Sequence, residues 1–183
     1  MSFRHQQPLK AIGSPGEAML NTILDPTNLK LKTIKLQTRL GNDIDNAQSF
    51  VISTFERSQF SLSDSQYKDI VTFRGNPTGI YNCHGLVFAS RRTGIHNPQE
   101  LFKILTEDGY EQVTVDKVIP GDIVLYFQSD GDIEHSGFVI SYPDPLFKMP
   151  LILSKWGKYR EAVHYANQGP YDKTNIRYYR VNQ

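Results

Sequence analysis

Residues 81–90 read YNCHGLVFAS, and the reading of this stretch decides the fold. It follows RGNPTG at 74–79, a Gly/Pro/Asn cluster that must be a loop. Leu86, Val87, Phe88 and Ala89 then supply a short apolar run, which predicts a buried helix that Gly94 can end. Cys83 therefore falls where a loop turns into a helix. A helix N-terminus favours thiolate over thiol, and its free N–H groups can bind a developing oxyanion. The plainer reading of a free cysteine is a small buried hydrophobe, so Cys83 gains chemical meaning only beside a base.

Downstream, Asn97-Pro98 reads as an N-cap followed by proline at the first helical position, opening a helix over PQELFKILTEDG, residues 98–109. The pattern then changes to period two and short apolar runs. DIVLYF (122–127), HSGFVIS (135–141), PLILSKW (150–156) and NIRYYRV (175–181) read as strands, separated by Pro, Gly and Asp clusters. Helices first and an antiparallel sheet second means α+β, with the helices packed on a small sheet. Upstream, DNAQSFVISTFER (45–57) predicts a helix capped by Asp45, and SLSDSQYKD (61–69) a short second one. LKLKTIKLQTRL (29–40) alternates apolar and basic residues, as an edge strand, an arm or solvated coil would. Residues 1–42 are read as an N-terminal arm or extension and residues 43–183 as one domain, with no repeat or low-complexity segment.

Composition narrows the function classes. A chain of 183 residues with 39% hydrophobic and 21% charged residues can close one core as a soluble domain. A net charge of +1 argues against nucleic acid as a partner, and IRYYR (176–180) reads as a terminal strand with exposed arginines. The single cysteine excludes an internal disulfide. No run approaches the roughly 18 apolar residues of a membrane span, and the first 20 residues lack the apolar stretch of a signal peptide. The expectation is a cytoplasmic protein with no membrane partner and no cofactor.

His135 opens the run HSGFVIS, where Ser136 and Gly137 leave room for a substrate. Cys and His side by side would make a nucleophile and its base. Pro120-Gly121-Asp122 marks a tight turn into a strand, and Asp122 is read as its cap, not as a catalytic group. Glu161 and His164 lie three apart, a spacing that puts two side chains on one helical face. Lys155, next to Trp156, has the charge to meet an acidic substrate group. A Cys83, His135, His164 metal set has suitable ligand types, but no Cys-x-x-Cys or His-x-x-x-His pair supports it.

The order YNCHGLVFAS, then PGDIVLYF, then HSGFVI resembles the NlpC-type cell-wall peptidases of the papain-like superfamily. Those show an aromatic-Asp-Cys-Ser-Gly-Leu-Val block, then Pro-Gly-Asp-Leu and a strand, then His-Val-Gly. In that family the Cys opens a helix packed on the sheet and the His lies on the strand facing it. The resemblance thus implies a papain-like (NlpC-like) fold, Cys83 as nucleophile and His135 as general base. LILSKWG (151–157) resembles the Asn-Ser-Trp-Gly segment of papain-like proteases, with Ser154 at the position of the Asn that orients the His and Trp156 at the shielding Trp. Glu161 and His164 are the reserves for that third place. Tyr81, His84 and Trp156 are the expected substrate contacts. Asn82 and His84 stand where the family has Asp and Ser, and the connection from His135 to Ser154 is longer. The match spans residues 74–157 and leaves the first 70 residues aside. The implied activity is a thiol amidase or peptidase that cleaves an amide, of cell-wall peptide type or another, through an acyl-enzyme on Cys83. The alternatives are a binding module on the same fold and an acyl transferase.

Overall fold

The glycine- and proline-rich connections divide the chain into short elements that one antiparallel sheet gathers together. The computed structural model describes residues 31–182. Among these residues there are three α-helices, α1 (Thr54–Tyr67), α2 (Cys83–Phe88) and α3 (Pro98–Glu107), and a 3-10 turn at Val115–Lys117. The strands are β1 (Thr72–Arg74), β2 (Tyr110–Val113), β3 (Ile123–Phe127), β4 (Ile133–Val139), β5 (Leu151–Lys155), β6 (Glu161–Tyr165) and β7 (Ile176–Val181). They form a seven-stranded sheet in the order β1-β6-β5-β4-β3-β7-β2, and every pairing is antiparallel. The molecule is therefore mixed α and β.

The four strands read from the sequence are β3, β4, β5 and β7. The structure adds β1, β2 and β6. It also moves the first helix. The expected helix over 45–57 begins instead at Thr54, and its second half absorbs the short helix expected over 61–69. Ser53 and Glu56 form a reciprocal capping box, with the Glu56 N–H donating to Ser53 Oγ (3.2 Å) and the Ser53 N–H to Glu56 Oε2 (2.6 Å). Two orphan donors are satisfied there, which a cap at Asp45 does not match. Residues 47–49 instead bridge extended segments: the Ala47 and Gly94 N–H groups each donate to the other's carbonyl, and the Ser49 N–H donates to the Gly79 carbonyl.

Strand alternation sorts side chains into two layers. On one face α2, α3 and the segment 31–48 cover Ile123, Leu125 and Phe127, with Leu36, Ile44, Val87, Ile95, Leu101 and Ile104 filling the space. On the other face Val124, Tyr126, Val139, Ile152, Ala162 and Tyr178 pack with Trp156, Tyr159 and Tyr171. The described part of the stretch 29–40 is largely exposed and is fastened to the domain at a few points. Leu36 is buried, and Thr38 and Asn42 bond Glu107 at the end of α3. Asp122 caps its turn, accepting from the Ile119 N–H (2.9 Å), and is also clamped by Arg180 (2.7 Å).

Candidate functional site

Cys83 is the first residue of α2, at the junction the sequence predicted. Asn82 is the N-cap. Its Oδ1 accepts from the Gly85 N–H (2.9 Å) and the Ile95 N–H (3.1 Å), and its Nδ2 donates to the Ile95 carbonyl (2.6 Å). One buried amide thus satisfies the helix start and ties it to the strand-like segment at 93–95. Gly85 lets that segment approach, since a Cβ there would collide with the Thr93 carbonyl. After the helix, Ser90 and Arg91 both take left-handed φ angles (49° and 64°), and Arg91 folds back over the sheet.

Cys83 is buried, with 6% of its surface exposed, whereas a catalytic thiol would be expected to be partly accessible. Burial pushes its thiol up to about 11. Against this act the backbone N–H groups of Ser136, His84 and Cys83 itself, and the Lys155 ammonium. Where β4 and β5 part, the ladder ends at Gly137↔Ser154. In that fork the Ser136 N–H is turned toward the sulfur.

His135 is fully buried (0% exposed), and neither ring nitrogen has a hydrogen-bond partner among the described residues. Its ring stacks on Tyr171 at 3.6 Å between centroids and 11° between planes. Burial holds its pKa well below the ordinary value, so the imidazole is neutral. The expected thiol–imidazole bond is therefore not formed in this conformation. The reason lies in the alternation of β4. Ser136 is the strand residue that faces α2, where its Oγ lies 2.9 Å from His84 Nδ1, and His135 points to the opposite layer.

The expected third group is engaged elsewhere. Ser154 Oγ lies 3.1 Å from His164 Nε2 and accepts from the Trp156 indole N–H at 3.2 Å. His164 Nδ1 lies 2.9 Å from the Tyr165 carbonyl. With Nδ1 as the donor, Nε2 accepts from the serine, so the hydroxyl's one proton is committed to His164 and one of its two lone pairs to Trp156, and it makes no bond to His135. Burial lowers His164 to about 4. Glu161 and His164 do not share a helical face, because both lie in β6, an odd number of residues apart and on opposite faces. Glu161 instead accepts from Tyr81 Oη (2.9 Å) and Arg91 Nε (2.6 Å). Burial works against its charge, but these two donors hold the carboxyl below its usual range.

The three expected substrate contacts are structural in this conformation. Tyr81 is half-buried, and burial together with Glu161 pushes its phenol up to about 12. His84 is buried against Ser136, and burial lowers it to about 3. Trp156 is buried edge-on to Tyr67 (4.9 Å) and Phe73 (5.2 Å). Sequence reasoning missed Tyr171, in the irregular stretch before β7, and read Lys155 only as a charge that could meet an acidic substrate group. Lys155 is fully buried, and the signal for it was its place at the end of the apolar run LILSK. No cluster of metal-ligating residues occurs among the described residues. None of the described helices is long and apolar enough to cross a membrane.

No family model, no curated protein and no solved structure matches the chain.

Proposed function

We propose that the protein is a thiol amidase or peptidase on a papain-like (NlpC-like) fold, cleaving an amide through an acyl-enzyme on Cys83. The observation that carries this is His135. An imidazole buried with both nitrogens unpartnered costs about 1–3 kcal/mol for each unmade bond, and such groups are rare unless they have work to do. It is adjacent in sequence to Ser136, whose N–H is turned toward the cysteine sulfur.

The resting pair is a neutral thiol and a neutral imidazole, so proton transfer accompanies attack. Attack requires a rearrangement of the fork that brings one His135 nitrogen round from the opposite layer to the sulfur. The thiol proton passes to it as the S–C bond forms at the amide carbon. The N–H groups of Cys83, His84 and Ser136 supply donors for the oxyanion. The C–N bond then breaks, and the amine leaves with the proton from His135. Water attacks the thioester, giving its proton to His135, and the carboxylic acid departs as sulfur regains a proton. A peptide of cell-wall type is the substrate that the sequence resemblance supports, and an amine in place of water would make the reaction a transfer.

Burial of Cys83 favours a second reading, a binding module with the chemistry silenced. A tagged haloacetamide probe separates the two. The enzyme reading expects wild-type labelling at pH 7 that Cys83→Ala abolishes and His135→Ala slows about 100-fold, together with turnover in a screen of cell-wall peptides. Equal labelling of wild type and His135→Ala, without turnover, would leave the binding module.

A further inference from the structure

Lys155 is the most unusual charged group among the described residues. It is fully buried at the end of β5, and its ammonium donates to three backbone carbonyls: Thr78 (3.0 Å), Gly157 (2.8 Å) and Tyr159 (2.6 Å). Three acceptors take three protons, the geometry of an ammonium and not of an amine, whose lone pair would face a carbonyl oxygen. Buried charges are normally paired with an opposite charge. No carboxylate lies within ion-pair distance of Lys155 among the described residues. Its register partner Glu161 is the nearest candidate, and that charge is claimed by Arg91 and Tyr81. The positive field is therefore left without a local counter-charge.

That field falls on the Cys83 segment. Lys155 Nζ sits 5.2 Å from the centre of the Tyr81 ring, two residues before Cys83, and grips Thr78 in the loop leading to it. Helix α2 packs on both β4 and β5. We propose that Lys155 is a positioning residue of the nucleophile, a built-in cation that anchors the segment Thr78–Cys83 and supplies the positive charge that stabilises the Cys83 thiolate as it forms. This rests on the reading of Cys83 as the nucleophile. The coupling is visible from both sides, since the ammonium draws the thiol down against burial, and Cys83 and Glu161 hold the lysine up against a burial that takes it to about 7. The groups of the packed elements that face it are Cys83 at the start of α2, Tyr81 before it and Glu161 on β6, with Arg91 behind Glu161.

The test follows iodoacetamide alkylation against pH by mass spectrometry, which the single cysteine makes unambiguous. Lys155→Gln keeps two donors and discards the charge. Its alkylation midpoint should rise by about one pH unit, a rate about tenfold lower at pH 7, while Lys155→Arg stays within about twofold of wild type. A folded Lys155→Gln protein with the wild-type profile overturns the proposal. If in the same series His135→Ala does slow alkylation, the hydrolase reading stands without it. If Lys155→Gln shifts the profile but no amide is turned over, the lysine assignment stands and the hydrolase reading falls. Should Lys155→Gln not fold, Cys83→Asp decides, because it puts a fixed anion at the sulfur's place. The Lys155 Cε resonance should then titrate about one unit higher than in Cys83→Asn, and identical midpoints would sink the idea.

Discussion

Asn82 and Gly85 show how few side chains hold the start of α2. The Asn82 amide makes three buried hydrogen bonds, two to Ile95 and one to Gly85. Asn82→Ala removes a helix cap and strands the Ile95 N–H and carbonyl, so we expect a loss of about 2–3 kcal/mol, read from the urea midpoint. Gly85→Ala attacks the same joint from the other side. Its methyl would meet the Thr93 backbone head-on, with the Tyr81 Cβ close beside it, and backbone does not yield as a flexible side chain does. We expect a loss of about 3 kcal/mol and a changed Cys83 environment. A Gly85→Ala protein as stable as wild type would mean that the 93–95 segment is not held where the structure has it. At this scale the sequence was partly legible. The loop-to-helix switch placed Cys83 at a helix start because Gly, Pro and a following apolar run act locally. The partners of His135, Ser154 and Lys155 were not legible, because they depend on which face of a strand each residue takes and on carbonyls brought in from distant loops.

Among the elements, α1 is the least anchored. None of its residues is buried, and it touches the sheet layer through Phe60 stacked on Tyr159 (4.7 Å) and Tyr67 edge-on to Trp156. Its N-terminus is fixed by Glu56, which closes the capping box and pairs with Lys158 at 2.8 Å. Glu56→Ala removes both, so we expect amide exchange across Thr54–Tyr67 to speed by the equivalent of about 1–2 kcal/mol. Exchange in β3 and β4 should be unchanged, and uniform acceleration everywhere would contradict a locally held helix. The same helix explains a limit of the sequence reading. Ala47, Phe50, Val51, Ile52 and Phe55 suggested an apolar helical face over 45–57, yet Phe50, Val51 and Phe55 are exposed and the other two only partly buried. Periodicity reports where apolar residues recur, and here the competing Ser53–Glu56 box set the boundary. The strands β1, β2 and β6 were missed for a related reason. They are three to five residues long, and β1 and β2 lie at the sheet edges, so neither length nor alternation marks them.

Among the described residues His84, His135 and His164 are buried, and burial is the chief cause that lowers the pKa of each, as it does for His96 at the surface. His84 is brought to about 3 and His164 to about 4. Their unfolded counterparts titrate near 6.5, so between about pH 6.5 and pH 4 the unfolded chain binds more protons than the folded one. Stability therefore rises with pH across that window. The histidine contribution is fully present above 6.5 and is lost as pH falls toward the folded values. Each histidine contributes a slope on the order of 1 kcal/mol per pH unit. Glu56 and Glu161 have depressed values too, but their loss belongs to lower pH, below the unfolded carboxylate value of 4.5. On the alkaline side the raised thiol weakens the fold as pH climbs from the unfolded 9 toward 11, and Tyr81, Tyr159 and Tyr178, each pushed from 10.0 up to about 12, weaken it over the range above. We therefore expect acid unfolding to begin close to pH 6, and the alkaline limb to steepen once the pH passes the ordinary tyrosine value of 10.0. Urea unfolding at half-unit steps from pH 4.5 to 6.5 measures the slope. His135→Gln, which removes one of the four depressed histidine titrations, should flatten it by about a quarter. An unchanged slope would mean that His135 takes up its proton as readily in the folded protein as in the unfolded chain, and its burial without partners would then lose its place as the mark of the site.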